Sequence, residues 1–368
     1  MTGRVLSFPR RSPSADHVRV AAERLLATSH TERGSVDPSP PAEDPEILLE
    51  VCRRLRENLE SSPPSARKEA EWFYHFLAEP KRAIGLFDER EYFLGEFALI
   101  AGIACRQLAR REDAQRWFDR SEGNFRLTVN AVADWSRVSY QRLALLLEER
   151  KLEDLLEQVP ALIESFSKLD MAEDALKCRF LEGLAYVEYG ELGGAAEVFK
   201  NIALEAKGQN NDKLVATAYT NLLNVLGSLG SHDEAVAYSR EAIPVFLRLG
   251  NRFGLAKVQW GLGSALRGKG DAVGATQAYR LARAEFSELG MMADVAAANL
   301  AIADILLDLK QEAQALEEVL LALPIIDEYK MVPEGMAALA LLRESLKQHK
   351  VNHQALRDLH GFFEETVS

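Results

Sequence analysis

The feature that most constrains this chain is a pattern that recurs every 40 residues from residue 91 onward. Gly190, Gly230 and Gly270 each lie between two runs of helical length. A glycine there can adopt the left-handed backbone conformation that ends one helix and lets the next fold back. Small residues at the same period mark close helix approaches, and leucines form a third column. These columns are Ala195, Ala235, Ala275, Ala315 and Ala355, and Leu226, Leu266, Leu306 and Leu346. The pattern predicts an all-α fold of stacked antiparallel helix pairs.

Residues 251–290 carry the pattern most completely. The matching positions there are Leu262, Gly263, Leu266, Gly270, Ala275, Tyr279 and Ala282. Other blocks match in part, at Gly183, Gly190, Ala195 and Phe199 and, after a one-residue shift, at Gly102, Ala114 and Phe118. The arrangement resembles the tetratricopeptide repeat (TPR). Its period of 40 rather than about 34 residues looks like the long-helix variant of cell-polarity adaptors and bacterial signalling regulators. The resemblance implies a right-handed α-solenoid.

The chain before the repeats has a different composition. Residues 1–44 are predicted to be a mostly disordered basic segment, with a short amphipathic helix at 14–28 and a linker rich in Pro and Ser. Residues 45–90 are predicted to form a non-repeating helical hairpin that caps the array. Residues 91–368 then hold about seven TPR-like helix pairs.

Charge and cysteine usage limit the ligands that this chain can be expected to bind. The formal net charge is -12, which argues against nucleic acid or an anionic membrane as a direct partner. No apolar run approaches the length of about 18 residues that indicates a membrane span. The three cysteines are far apart and form no CxxC motif, which fits a reducing compartment. We therefore expect a cytoplasmic protein.

No stretch of the sequence predicts catalysis or a bound cofactor. The glycines of residues 261–268 lack the strand and the GK[ST] ending of a nucleotide loop, and packing positions explain them. His349, His353 and His360 would have to converge from two helices to bind a metal, so we expect them on a solvated face of the last repeat. No Ser/His/Asp or Cys/His set has a distinctive spacing. The prediction is a protein without enzyme activity, cofactor or metal.

The resemblance implies that the first helix of each pair lines a concave groove. The side chains that it assigns to this wall are Arg137, Tyr140, Lys177, Phe180, Asn224, Lys257, Trp260, Arg267, Asp304 and Asp308. Lys257, Trp260 and Arg267 should share one helix face, with Trp260 exposed as an interface anchor. Burial between helices is an equal alternative for Tyr140 and Phe180. The like charges Asp304 and Asp308, four residues apart, are expected to face water.

Two functions follow from these expectations. The first is a non-catalytic scaffold that binds an extended peptide or a helix of a partner protein in the groove. The alternative is a ligand- or peptide-responsive regulator of signalling or transcription, controlled by docking of the N-terminal segment. It rests on six arginines against three acidic residues in the first 33 positions, beside a strongly acidic remainder. A tail without a role is the simpler interpretation of that segment.

Overall fold

The computed structural model describes residues 15–31, 44–79, 89–129, 131–327, 351–367 and a few positions between 339 and 345. Within these residues there are 16 helices and no strands. The helices up to the middle of the chain are α1 Ala15–Thr31, α2 Pro45–Ser61, α3 Pro63–Ala78, α4 Arg90–Gln107, α5 Arg111–Arg126, α6 Val132–Glu148, α7 Leu152–Lys168 and α8 Ala172–Tyr189. The others are α9 Leu192–Gly208, α10 Asp212–Ser228, α11 His232–Arg248, α12 Arg252–Gly268, α13 Ala272–Glu288, α14 Met292–Asp308, α15 Glu312–Asp327 and α16 His353–Val367.

The chain divides into two compact units, residues 1–181 and residues 182–368. The sequence predicts other boundaries, at residues 44 and 90, because the repeat pattern begins at residue 91. These boundaries stay a prediction. Among the helices that the structure describes, none is both long enough and apolar enough to cross a membrane.

In the first unit, the N-terminal helix α1 packs on the hairpin of α2 and α3. Ala22 and Leu25 are buried in this contact, and Arg54 of α2 forms an ion pair with Glu23 of α1 at 3.1 Å. The hairpin in turn joins the first repeat helix, because the ring of Phe73 stacks on that of Phe97 with centroids 5.0 Å apart. The N-terminal helix therefore has a docking surface on the hairpin, which the sequence did not indicate.

The turns between repeat helices share one backbone conformation at intervals of about 20 residues. Gly190, Gly230 and Gly270, predicted as left-handed turn residues, have φ of +88°, +67° and +80°. Ala109, Arg150, Asp170, Asn210 and Lys310 adopt the same left-handed conformation, with φ between +54° and +58°. The N–H of the following residue closes each turn on the preceding helix, as Asp271 N does on Leu266 O at 2.9 Å. This hydrogen bond is that of a Schellman motif.

Close helix approaches occur where the sequence pattern predicted them. A Cβ atom added to Gly263 of α12 would lie 2.9 Å from the ring of Tyr279 in α13, and one on Gly183 would lie 2.8 Å from Phe199. The alanines of the repeated column, from Ala195 to Ala355, are at most 4% exposed. Leu226, Leu266 and Leu306 are also buried, while Leu346 lies outside the described residues. Small residues therefore allow the two helices of a pair to approach closely.

The left-handed turns yield a prediction about stability. Lys310→Gly should raise the free energy of unfolding by about 1 kcal/mol, because glycine adopts φ of +58° without the steric penalty of a side chain. Gly250→Ala, at φ of +62°, should lower it by a similar amount. Urea denaturation followed by circular dichroism measures both changes. If both substitutions changed the free energy of unfolding in the same direction and by the same amount, the role assigned to these turns would be contradicted.

Candidate functional site

Two ion pairs connect the first helices of neighbouring repeats in the second unit. The Nζ atom of Lys257 lies 3.9 Å from Oδ1 of Asp294, and the guanidinium of Arg267 pairs with the carboxylate of Asp304. Both pairs join a cation on α12 to an acid 37 residues later on α14. They define the surface that we call the α12–α14 wall, formed by Lys257, Trp260, Arg267, Asp304 and Asp308.

Asp304 is the central charged group of this wall. Only 1% of its side chain is exposed, and it accepts hydrogen bonds from two guanidinium groups. One belongs to Arg267 of α12, and the other is Arg357 of α16, whose Nε lies 3.0 Å from Oδ1 of Asp304. The Nη2 atom of Arg357 also lies 3.1 Å from Oδ1 of Asp308. The two carboxylates of α14 thus hold one arginine from the C-terminal helix.

This arrangement corrects the expectation that Asp304 and Asp308 face water. Asp308 is 53% exposed, as expected of a residue near a helix end, but Asp304 is buried. The expectation considered one helix alone, where like charges four residues apart repel each other. Arg267 and Arg357 approach from two other helices and neutralise that repulsion.

Trp260 is partly buried and belongs to an aromatic cluster. Its ring centroid lies 4.9 Å from that of Tyr279 and 6.5 Å from that of Phe286, both on α13. The imidazole of His360 on α16 lies 6.2 Å from the indole. The indole therefore contacts packed rings of α13 on one side and α16 on another. It shares the wall with Lys257 and Arg267, and its role as a partner anchor stays a proposal.

Helix α16 packs against α14 and supplies the groups that meet the α12–α14 wall. Ala355, Leu356 and Leu359 are buried, and His360 is only 6% exposed. The expected solvated position of His360 is therefore wrong, because its ring lies beside Trp260. His349 lies outside the described residues. Within the described part of the chain, no group of three or more His, Cys, Asp or Glu could hold a metal ion.

The other predicted wall residue of the second unit is Asn224, whose side chain is exposed on α10. The residues 261–268 lie within α12, in agreement with their interpretation as packing positions rather than a nucleotide loop. A cavity of about 450 Å³ lies beside α10 and includes Thr220 and Asn221 in its lining, but not Asn224.

The predicted wall residues of the first unit lie on α6 and α8. The Nη1 atom of Arg137 lies 2.7 Å from Oε1 of Glu96, which is fully buried and also pairs with Arg56. Tyr140 and Phe180 are partly buried, and burial raises the pKa of the Tyr140 hydroxyl. The assignment of these side chains to a binding wall stays a proposal.

Lys177 in α8 is held by acidic residues of its own helix. Its Nζ lies 3.1 Å from a carboxylate oxygen of Glu173 and 3.1 Å from one of Asp174. Burial acts to lower the pKa of Lys177, but the two carboxylates outweigh it and the pKa is raised. The lysine is therefore charged at neutral pH and already engaged in local ion pairs.

Arg357 was missed by the sequence analysis, and so was the contact between His360 and Trp260. Arg357 is 53 residues from Asp304, and no position of the 40-residue pattern relates the two. The only signal was the pair of like charges at Asp304 and Asp308, which indicates a cation from elsewhere if the pair is not solvated.

No known protein family and no curated protein matches this chain by sequence. Solved structures match its fold. The apo form of RapI is 15% identical with a TM-score of 0.51, covering 76% of this chain and 97% of that one. Aspartyl phosphate phosphatase F from Bacillus subtilis is 11% identical with a TM-score of 0.53, covering 98% of this chain and 97% of that one. A signal transduction ATPase with numerous domains from Pyrococcus horikoshii, which has a tetratricopeptide repeat sensor, is 15% identical with a TM-score of 0.56, covering 93% of this chain and 56% of that one.

At these identities the similarities show the fold alone. The fold of these solved structures agrees with the one indicated by the repeat pattern, the left-handed turns and the close contacts between glycines and aromatic rings. The chain has a TPR-like helical repeat fold, as its sequence predicted.

The buried acid at the centre of the wall yields a prediction about stability. Arg267→Ala should lower the free energy of unfolding by about 2 kcal/mol, because Asp304 then keeps only Arg357 as a cation. The control is Arg280→Ala, since Arg280 is 55% exposed and lies 4.0 Å from Glu318, a geometry that contributes at most about 0.5 kcal/mol. Urea denaturation of both variants measures the difference. Similar losses would show that Asp304 does not depend on Arg267.

Asp294 yields a prediction about pH. Burial raises the pKa of its carboxyl, although Lys257 partly opposes this effect. A raised pKa means that the folded state binds the proton more tightly. The contribution of protonated Asp294 to stability is therefore complete below the unfolded pKa, about 3.9. This contribution is lost as the pH rises through the pKa of Asp294 in the folded state. Asp294→Asn should increase stability at pH 7, and this advantage should disappear below about pH 3.9.

The comparison for Asp294 is Asp233→Asn, measured over the same pH range by urea denaturation. The ammonium of Lys269 lowers the pKa of Asp233, so removing this charge should not stabilise the protein at pH 7. A stabilising effect of Asp233→Asn equal to that of Asp294→Asn would show that general charge reduction, and not burial, explains the result.

Proposed function

We propose that this chain is a non-catalytic scaffold that binds a peptide or helix of a partner protein on the α12–α14 wall. The carrying observation is Asp304, a buried carboxylate that accepts a guanidinium from a helix outside the wall. A charge-assisted hydrogen bond to a buried acid depends strongly on geometry, so it selects a cation at one position. The partner segment would place its cation there.

The surroundings of Asp304 support this proposal. Trp260 lies on the same wall, and tryptophan and arginine are enriched among the residues that dominate binding energy at interfaces. The wall also accommodates a helix in this structure, because α16 packs against α14. In helix-in-groove recognition an amphipathic helix places anchors three or four residues apart into the groove, as α16 does with Arg357 and His360.

One structural neighbour supports a binding role. The Pyrococcus ATPase with the same fold has its tetratricopeptide repeats as a sensor. The three cysteines of this chain are free and buried, which fits a reducing compartment, and we therefore propose a cytoplasmic scaffold. The alternative of control by the N-terminal segment gains less support. Ala22 and Leu25 of α1 are already buried on the hairpin, so this helix has a stable position without docking elsewhere.

Two matched double variants test the proposed function. Trp260→Ala with Lys257→Glu alters the wall, whereas Leu281→Ala with Arg280→Glu makes the same kinds of change at exposed positions of α13. Each full-length protein is used to capture proteins from native lysate, which are then quantified by mass spectrometry. At least one partner should be retained by the wild type and the α13 variant and reduced about tenfold or more by the wall variant.

Circular dichroism must show that both double variants remain helical under the capture conditions. If the wall variant retains every partner at the wild-type level, binding does not occur at the α12–α14 wall and the proposal is wrong. If the α13 variant loses the same partners to the same extent, the outer helices and not the wall would carry the interaction.

A further inference from the structure

We propose that α16 is an internal competitor for the α12–α14 wall, and that the partner segment is an amphipathic helix with a cation at the position of Arg357 that displaces it. This inference rests on the proposed function and adds the chemistry of the partner and the regulation of the site. The observation behind it is that the chain's own C-terminal helix already contacts Asp304, Asp308 and Trp260.

The contacts of α16 show what kind of segment the wall accepts. Arg357 reaches the two carboxylates of α14, and His360, three residues later, lies beside Trp260. Positions three residues apart lie on one face of a helix. Leu356 and Leu359 are buried, again three residues apart. The helix thus presents an apolar side together with one cation and one aromatic ring to the wall.

The charge of the wall favours a partner that places a cation beside Asp304 and Asp308. When α16 leaves, Asp304 and Asp308 carry two negative charges, and Arg267 supplies one positive charge to Asp304. This group has more negative than positive side chains, so an Arg or Lys at this position is favoured and a carboxylate at this position is repelled. A partner helix with a cation in the position of Arg357 restores the pairing that α16 provides.

Release of α16 does not leave a buried charge without a counterion. Arg267 stays paired with Asp304, so the large penalty of an uncompensated buried acid does not arise. The side chain of Arg357 is 49% exposed and that of Asp308 is 53% exposed, so the pair between these two groups contributes little to stability, and the bond of Arg357 to the buried Asp304 is the stronger of its two contacts. A helix of 15 residues is marginal in water by itself. Docking of α16 therefore depends on its buried apolar face and on the ion pairs of Arg357, and a partner helix with the same pattern can replace both.

The test uses a fluorescent peptide with the sequence of residues 351–367, VNHQALRDLHGFFEETV, and full-length protein. In the wild type, the covalently attached α16 competes with the peptide. Arg357→Glu in the protein removes the cation from α16 and places a third carboxylate near Asp304 and Asp308, so the internal helix should dissociate. The peptide keeps its native arginine, and its Kd for this variant should be at least about tenfold lower than for the wild type.

Two controls separate this effect from a change in net charge. Arg240→Glu reverses the charge of an exposed residue on α11 and should leave the peptide affinity at the wild-type value. A peptide with Arg357→Glu should not bind the Arg357→Glu protein. Should that protein not fold, Arg357→Gln is the milder variant and should give a smaller gain in affinity.

Hydrogen exchange of the α16 amides in each protein distinguishes the outcomes. Tighter peptide binding with faster α16 exchange in the Arg357→Glu protein supports the inference. Equal binding to wild type and variant means that the peptide binds without competition from α16, which overturns the inference and leaves the proposed function intact. If the α16 amides of the Arg357→Glu protein exchange as slowly as those of α14, α16 has not been released. This outcome also overturns the inference. Faster exchange without any peptide binding means that the vacated wall does not accept a helix, which contradicts the proposed function as well.

Discussion

The contact between a glycine in one helix and an aromatic ring in its paired helix supports both the fold and the candidate site. Gly263 has no Cβ, so α12 can approach α13 until the backbone meets the ring of Tyr279, which is 1% exposed. Trp260 then packs on the same ring. A larger residue at 263 would push this ring away and remove the support of the indole. The position of the wall therefore follows from the packing that defines the repeat.

The periodic features could be predicted from the sequence because each depends on residues within one block and recurs in the next. The turns at Gly190, Gly230 and Gly270 and the contact of Gly183 with Phe199 are of this kind. The turns at Asn210 and Lys310 could not be predicted in the same way, because they have no glycine. Hydrogen bonds to the preceding helix hold those turns in the same conformation, so a residue other than glycine adopts it there at a steric cost.

The candidate site was predicted only in part, because its central contacts are not periodic. Lys257, Trp260, Arg267 and Asp304 lie on neighbouring helices, and two of the ion pairs have the same spacing of 37 residues. The arginine that completes the site comes from α16, however, and the pairing of Arg357 with Asp304 has no counterpart in another block. A pattern within single helices cannot show which later segment will meet an acidic pair. For the same reason Asp304 was wrongly expected to face water.

The pairing of the wall cations changes how binding to this surface must work. Lys257 lies near Asp294 and Arg267 pairs with Asp304, so these groups are not free charges that attract any acidic ligand. A partner has to replace existing ion pairs with new ones of similar strength, and the net gain in free energy is then a small difference. Charge alone would give weak affinity, and most selectivity would come from geometry. A helix that matches both the acidic pair and Trp260 meets this requirement, and α16 is an example within the same chain.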